Sequence, residues 1–574
     1  MYRAFKSIWP FFFIVVLSFF AVKPLFTGGF FPMHDNTQVA RVYEMGKSLS
    51  FGVFPVRWVP DLGYGFGYPI FNFYAPFAYY IGGLFQVFGF NSLLATKLMM
   101  VLGVVLAPIF MYILAKEFFG KVGGFVAAIF YLYAPYHALD IYVRGDVSEF
   151  FAYAFIPLVF LGFWLIYKKD KFRYVVLSSL AFTFLTLSHN LTAFMTTPFL
   201  LVFILFLLVK KARREKLKSS FSLASALLLG LGLSSFYWIP AIFEARYTDV
   251  LSQIGGGAYY GDHFVCLWQL WSSPWGYGGS GPNCNAGFSL MLGKYHILMS
   301  ILAVLIACFA LIKRSFFKNV GREVFIAILI IALGLLISLF LMLSFSKPIW
   351  DFLKPMVFFQ YPWRFLLLSS FFSSLLAGSV IFASEKLTRS TKLVFLLSLL
   401  IVIVLTARSY KFFQPQTILN ISSRDYTGRH DLSWVVSKIS DEYMPPHFIK
   451  PKKDSEVSQD RFQANTFTKV LSQAYTPRGL TARLQVSKDS IINIKMAYFP
   501  GMSVYLDNKT YSFSATNNGL SVFLPKGVHS LNVKVNQTIL ELLSDLLALA
   551  SLGILIIGII DQGRLPSFLR EEKV

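Results

Sequence analysis

The segment Phe71–Phe88, FNFYAPFAYYIGGLFQVF, decides the topology of the whole chain. It is apolar and long enough to cross about 30 Å of hydrocarbon. Counted as a crossing, it inverts every later connector and puts the basic clusters on the outer face. The tendency of Lys and Arg to stay on the cytoplasmic side rejects that arrangement. The segment therefore reads as an interfacial or re-entrant helix, with Asn91 beyond it still outside.

The composition agrees with a membrane setting. Of 574 residues, 56% are hydrophobic, 18% aromatic and 14% charged, against about 25% charged in a soluble domain. The net charge of +23 in a soluble protein suggests nucleic acid. Here the cations gather in short connectors between apolar runs: Lys168–Arg173, Lys210–Lys218, Lys313–Arg322 (with Arg314 and Lys318) and Lys386–Lys392 (with Arg389). That is the pattern of cytoplasmic loops, and no aromatic-basic groove or zinc-ligand spacing accompanies it. Nucleic acid is not an expected partner.

Outward from these connectors, spans are expected at about 8–25, 92–115, 122–139, 149–167, 172–188, 191–209, 219–241, 291–312, 323–344, 364–384, 392–409 and 539–560, about twelve in all. Arg3 and Lys6 put the N-terminus inside, and the first span is expected to be retained, since no small-residue cleavage site follows it. The tail, with Arg564, Arg570 and Lys573, also ends inside. Residues 1–410 thus form a transmembrane domain with a long first outer loop (26–91) and a second outer loop (242–290). Asn36 to Leu49 sets Val39, Val42, Tyr43, Gly46 and Leu49 at helical spacing with Arg41, Glu44 and Lys47 between them, as in an amphipathic helix lying in the interface. Between 411 and 538 polar residues rise and alternation of period two appears, as in Ile491–Met496, Ser503–Leu506 and Leu531–Val535. These runs, separated by Asn/Gly/Pro turns, read as a small outer β-sandwich. Residues 539–574 supply the last span and tail. The expected fold is a polytopic α-helical protein of the cell membrane with an extracytoplasmic β-rich domain. Cys308 falls inside a span and reads as core, whereas Cys266 and Cys284 share one outer loop and their spacing leaves pairing open.

The chemistry-bearing residues all fall on the outer side. FPMHDNTQ, Phe31–Gln38, places His34 and Asp35 at the mouth of the first span. RGDVSE places Arg144, Asp146 and Glu149 at a helix start, with the two acids three apart and so on one face; His137 and Asp140 stand just upstream. His189 and Asn190 occupy a tight turn between two spans, and QYPWRF carries Tyr361 and Arg364 into another. Arg57 opens a turn-rich aromatic stretch. Ionisable groups are costly near a bilayer, so such a set marks a functional site. Asp35 can serve as a general base toward an acceptor. Arg144, Arg364 and a divalent metal held by Asp146 and Glu149 can stabilise a departing phosphate. Arg144, His189, Asn190, Tyr361, Arg364 and Arg57 are the candidate substrate-binding residues.

This layout resembles the GT-C superfamily of integral-membrane glycosyltransferases, which share a long first outer loop with an acidic residue near its start and a second acidic site after the third span. FPMHDN, YPIFNFYAP, RGDVSE, LSHN and QYPWRF are similar to bacterial and archaeal membrane proteins whose domain is named after 6-pyruvoyl-tetrahydropterin synthase. AYFPGMSVYLDN and GLSVFLPKGVHSLNV resemble the C-terminal outer domain of YfhO-like proteins, with Met502 and Asn508 departing from that pattern. The resemblance implies transfer of a sugar from a polyprenyl-phosphate carrier to a glycan, lipid or protein acceptor. It makes Asp35 the catalytic base, and Asp146 and Glu149 the second-site acids for acceptor or metal (Mg or Mn). Membrane lipids are the other expected partners. Two rival readings are a lipid or glycan flippase, which needs polar groups spread through the bilayer depth, and a non-catalytic surface-assembly protein acting through its outer domain. Pterin chemistry is not indicated, as no metal-binding histidine triad is present.

Overall fold

The chain is described by a computed structural model over residues 2–211, 213–313, 320–388, 390–457, 460–463 and 466–564. Arg314, Lys318, Arg389, Arg570 and Lys573, named above for the cytoplasmic connectors and tail, lie outside the described residues. Nine described helices are long and apolar enough to cross a membrane, or ten if Lys216–Leu233 and Ser235–Phe243, bent by 67°, form one broken span. The protein is a polytopic α-helical membrane protein with a C-terminal antiparallel β-domain.

The difference from about twelve spans falls at two places. Phe172–Ser188 is apolar but has only 17 residues. The long helical run from Ser92 is interrupted at Gly120, where φ 70° and ψ −175° leave the helical region. Eight residues of straight helix advance about 12 Å. Yet a Cβ on Gly124 would stand 2.9 Å from the Lys116 backbone nitrogen. The chain therefore doubles back at Gly120, and the expected runs 92–115 and 122–139 are two antiparallel arms.

The segment that decides the topology is two short helices, Ile70–Phe73 and Phe77–Val87. Eleven residues of helix reach about 16 Å, too little to cross. Phe77–Val87 instead packs on Gln38–Ser50 through its glycines, where Cβ atoms would meet Val42 at 2.7 Å (from Gly82) and Met45 at 2.7 Å (from Gly83). Small residues let the two backbones approach this closely.

Gln38–Ser50 does not lie open in an interface. Arg41 and Glu44, expected on its solvated face, are 3% and 0% exposed. Arg41 donates to Ser440 Oγ at 3.0 Å and Glu44 accepts from the Asp61 backbone at 3.4 Å. The outer part of the chain covers the helix, so its polar face is paired rather than wet.

The stretch 411–467 is not strand-rich. It carries short helical turns at Arg424–Thr427, Asp431–Val436 and Ser437–Ile439 that pack on the first outer loop. The strands begin at Thr468. Their order is β1(Thr468–Thr476)-β2(Gly479–Val486)-β8(Gly527–Val535)-β4(Met502–Leu506)-β5(Lys509–Tyr511) in one antiparallel sheet. The second sheet is β3(Ser490–Ile494)-β7(Gly519–Leu524)-β6(Ser514–Thr516). Alternate residues point inward: Leu480, Ala482, Leu484 and Val486 of β2 are buried against Ile492, Ile494, Leu520 and Val522 of the other sheet's strands in one core. Period-two patterning requires this.

Cys266 and Cys284 are disulfide-bonded, with Cα atoms 5.8 Å apart. Cys308, expected in the core, is exposed. Lys294–Ile312 packs only one stripe, Ala303, Ala307 and Ala310, and turns its other faces outward, where lipid is the natural solvent.

Candidate functional site

The site is built around the turn between two helices. A π-helical turn, Asp140–Arg144, ends at Gly145, whose φ of 65° is left-handed. Asp146 then caps the helix Val147–Lys169, its Oδ1 accepting from the Glu149 backbone at 3.1 Å. Such a cap contributes about 1 kcal/mol. It also fixes Glu149 in the first helical turn, beside Asp146.

Gly145 is needed for a second reason. A Cβ there would stand 2.0 Å from Met33 Sδ and 2.8 Å from Met33 Cβ. This close approach lets the first outer loop run against the turn: the His34 N–H donates to the Val143 carbonyl at 3.0 Å and the Asp35 N–H to the Arg144 carbonyl at 2.9 Å. Gln38 holds the contact, donating to the Gly145 carbonyl at 2.7 Å while its Oε1 accepts from the Tyr79 hydroxyl at 2.5 Å. Arg41 stacks on Tyr74 at 4.2 Å.

Arg144 is the hub. Its guanidinium pairs with Asp140, with Asp146 at 2.9 Å and with Glu149 at 3.0 Å, and packs over the Trp363 ring at 4.7 Å. Tyr136 donates to Glu149. From the Pro362–Phe365 turn, Arg364 reaches Glu149 at 3.4 Å and Asp146 at 3.9 Å, and donates to the Phe359 carbonyl at 3.2 Å. His189 Nδ1 bonds Thr192 Oγ1 at 2.8 Å. Asp146, Glu149 and His189 each present a ligand atom, all within 4.8 Å of one another.

Asp35 differs from these groups. It is half-buried, and its carboxylate takes part in no ion pair among the described residues. Lost hydration, then the neighbouring Asp146 carboxylate, pushes its pKa above the usual carboxylate range. Asp146 goes the other way: burial opposes ionisation, but Arg144, then His189 and Arg364, hold it down to about 2. Burial keeps the His189 imidazole below its usual value, and so neutral at pH 7. Two carboxylates with pKa values driven apart by their surroundings are a common way to separate a proton acceptor from a permanent anion.

The structure thus brings together Asp35, Arg144, Asp146, Glu149, His189 and Arg364. His34 is exposed beside them, its Nε2 at 3.0 Å from the Tyr277 carbonyl of the second outer loop. Tyr361 stacks on Trp363 at 5.0 Å, with Arg364 5.4 Å from its ring centre. Asn190 Oδ1 accepts from the Leu191 backbone, a local cap. Arg57 is elsewhere: it pairs with Asp545 at 2.5 Å and donates to the Phe236 carbonyl at 3.0 Å, tying the first outer loop to the last span. Tyr136, Gln38 and Tyr79 are contributors that sequence reasoning did not assign. Asp140, four residues before Arg144 on one helical face, had a readable signal, whereas Tyr136 and Tyr79 had none.

The donor set also bears on a metal. Asp35, Asp140, Asp146 and Glu149 gather around the guanidiniums of Arg144 and Arg364, with Arg41 behind them. Two carboxylates and a neutral imidazole suit Mn or Zn better than Mg, which prefers oxygen alone.

The sequence model of a family described as "6-pyruvoyl-tetrahydropterin synthase related domain; membrane protein" matches residues 71–252. A protein of Lactococcus lactis subsp. cremoris (strain MG1363), named "Uncharacterized protein", is 26% identical over 244 residues, 40% of this chain and 39% of the relative. The chain therefore spans less than half the length of that relative. Among solved structures it is similar to the Archaeoglobus fulgidus oligosaccharyltransferase tethered with an acceptor peptide. There the TM-score is 0.46 and the identity 17%, over 78% of this chain and 61% of that one. It is also similar to arabinofuranosyltransferase AftD from Mycobacteria (TM-score 0.42, 14% identity, 73% and 28% coverage). ArnT from Cupriavidus metallidurans is a third similar structure (TM-score 0.30, 13% identity, 67% and 78% coverage).

Proposed function

We propose that the chain is an inverting membrane glycosyltransferase that moves a sugar from a polyprenyl-phosphate carrier to an acceptor on the extracytoplasmic face. The observation that carries this reading is the docking of Asp35 against the Arg144–Asp146–Glu149–Arg364 cluster. It sets a carboxylate free of ion pairs beside fixed cations.

In this reading the acceptor hydroxyl gives its proton to Asp35 as its oxygen bonds to the anomeric carbon. The bond from that carbon to the phosphate oxygen breaks, and the phosphate leaves with the electron pair. Arg364 and Arg144 offset the charge it gains. The half-buried Tyr361 lies beside the sugar, and His34 and Asn190 border the acceptor side. Asp146, Glu149 and His189 would hold a divalent metal, which supplies Lewis-acid charge to the phosphate when bound.

The carrier's hydrocarbon has a matching place. A cavity of about 670 Å³ is lined by apolar residues including Phe118, Trp164, Phe199 and Leu375. It opens against Phe359 and Phe365, which flank Arg364. In this reading a lipid seated there turns its phosphate toward the Phe359–Phe365 end, the end nearest Arg364 in the chain. The single-displacement reading is tested by the anomeric configuration of the product, read by NMR coupling. Inversion relative to the donor is expected, and retention contradicts a single displacement with Asp35 as base.

A further inference from the structure

A second pocket lies apart from this cluster, where the first outer loop meets the outer domain. It has a volume of about 330 Å³, at the small end of the range for ligand sites. Four separate stretches of chain build it, one of them Lys495 just after β3. Tyr43, Tyr64 and Phe66 come from the first outer loop, Arg429 from the 411–467 stretch, and Tyr475 from β1.

Its chemistry is mixed in a particular way. Arg429, Arg461 and Lys495 stand opposite Asp61 and Asp460. The Arg461 guanidinium stacks on the Tyr475 ring at 3.8 Å and stays 3.7 Å from Asp61, longer than a hydrogen bond. Asp61 is anchored from behind by Lys47. Gly65 lines the pocket with a φ of 79°, in the left-handed region that favours glycine.

We infer that this pocket binds a saccharide. Aromatic faces take the C–H face of a sugar ring, while carboxylates accept from its hydroxyls and guanidiniums donate to them. A phosphate or a small dianion meets repulsion from Asp61 and Asp460. A purely apolar side chain would strip water from the Arg429 and Arg461 guanidiniums without replacing their hydrogen bonds. A ligand with many hydroxyls, each both donor and acceptor, fits the set of both signs. The inference does not depend on sugar transfer: the pocket uses none of the residues given a catalytic role above.

The test is binding by the full-length protein in lipid nanodiscs, titrated with cellotriose, chitotriose, trigalacturonate and inorganic phosphate. At least one trisaccharide saturates, and Arg429→Ala and Tyr475→Ala each weaken it tenfold or more. Arg429 is exposed, so its loss does not endanger folding. Asp35→Asn leaves the binding unchanged. Failure of all three saccharides to bind overturns the inference, as does binding that neither pocket variant alters. Phosphate binding that competes fully with the saccharide reassigns the pocket as an anion site.

Discussion

The backbone N–H of Asp35 donates to the carbonyl of Arg144 over 2.9 Å, so the proposed base and the hub of the charged cluster are coupled through main chain. The contact depends on Gly145, since any Cβ there runs into Met33. Gly145→Ala is expected to cost about 1–2 kcal/mol for the left-handed backbone alone, plus the clash, and to reduce transfer sharply. Met33→Ala in the same chain should restore part of both. Thermal melting and turnover of the single and double variants check this, and a fully active Gly145→Ala contradicts the coupling.

Asp35→Asn separates function from stability. With no ion pair to lose, the variant should fold and insert normally. Loss of a positioned base costs about 10²–10⁴-fold in rate. The raised pKa of Asp35 means the folded state holds this proton more tightly than the unfolded chain. Stability from this group is therefore full below the unfolded value and falls as pH rises through the folded one. At pH 7 Asp35→Asn should melt slightly higher than wild type, with the difference vanishing below about pH 4. A lower melting point at pH 7 would show a stabilising role for the carboxylate instead.

The same shift sets the rate profile. Only ionised Asp35 accepts a proton, so kcat/KM should rise with pH along an acid limb placed above the ordinary carboxylate range. Asp146, held at about 2, stays ionised throughout and adds no limb of its own. An acid limb at the ordinary Asp value, or none, removes Asp35 from the base role.

Arg364 contacts Glu149 and Asp146 at 3.4 and 3.9 Å rather than forming their tightest pairs. Arg364→Ala is expected to raise the apparent KM for the lipid donor tenfold or more. Arg364→Lys should recover only part, because an ammonium lacks the fork of donors. An unchanged donor KM in Arg364→Ala counts against phosphate binding there.

Arg57 is a prediction of a different kind. Its pairing with Asp545 ties two segments 488 residues apart. Arg57→Ala leaves the half-buried Asp545 carboxylate with only its Gln537 hydrogen bond, a loss of about 1–3 kcal/mol. Stability should fall while donor KM in the surviving folded fraction stays near wild type. The double variant Arg57→Ala/Asp545→Asn should melt above the single one.

The reach of the sequence can be judged from these residues. Asp35, RGDVSE, LSHN and QYPWRF each stood out because ionisable groups are rare beside apolar spans, and the cluster joins all four. Phe71–Phe88 was readable as a non-crossing segment because the basic connectors fix the parity. Arg57 was misplaced because its partner is almost the whole chain away and no local pattern encodes that pairing. The polar face of Gln38–Ser50 read as wet because a solvated helix and one paired with an outer domain share the same periodicity. Strands of period two were found in 490–535, while 411–467 is equally polar without alternation and folds as short turns.

The most direct measurement is release of polyprenyl phosphate from a panel of labelled polyprenyl-phosphate sugars by purified protein in nanodiscs, with Mn or chelator, in wild type and Asp35→Asn. Turnover by wild type that falls at least a hundredfold in Asp35→Asn, with donor binding retained, is the predicted result. Equal turnover in the two proteins, or donors that bind without release in the presence of every acceptor class tried, contradicts the account.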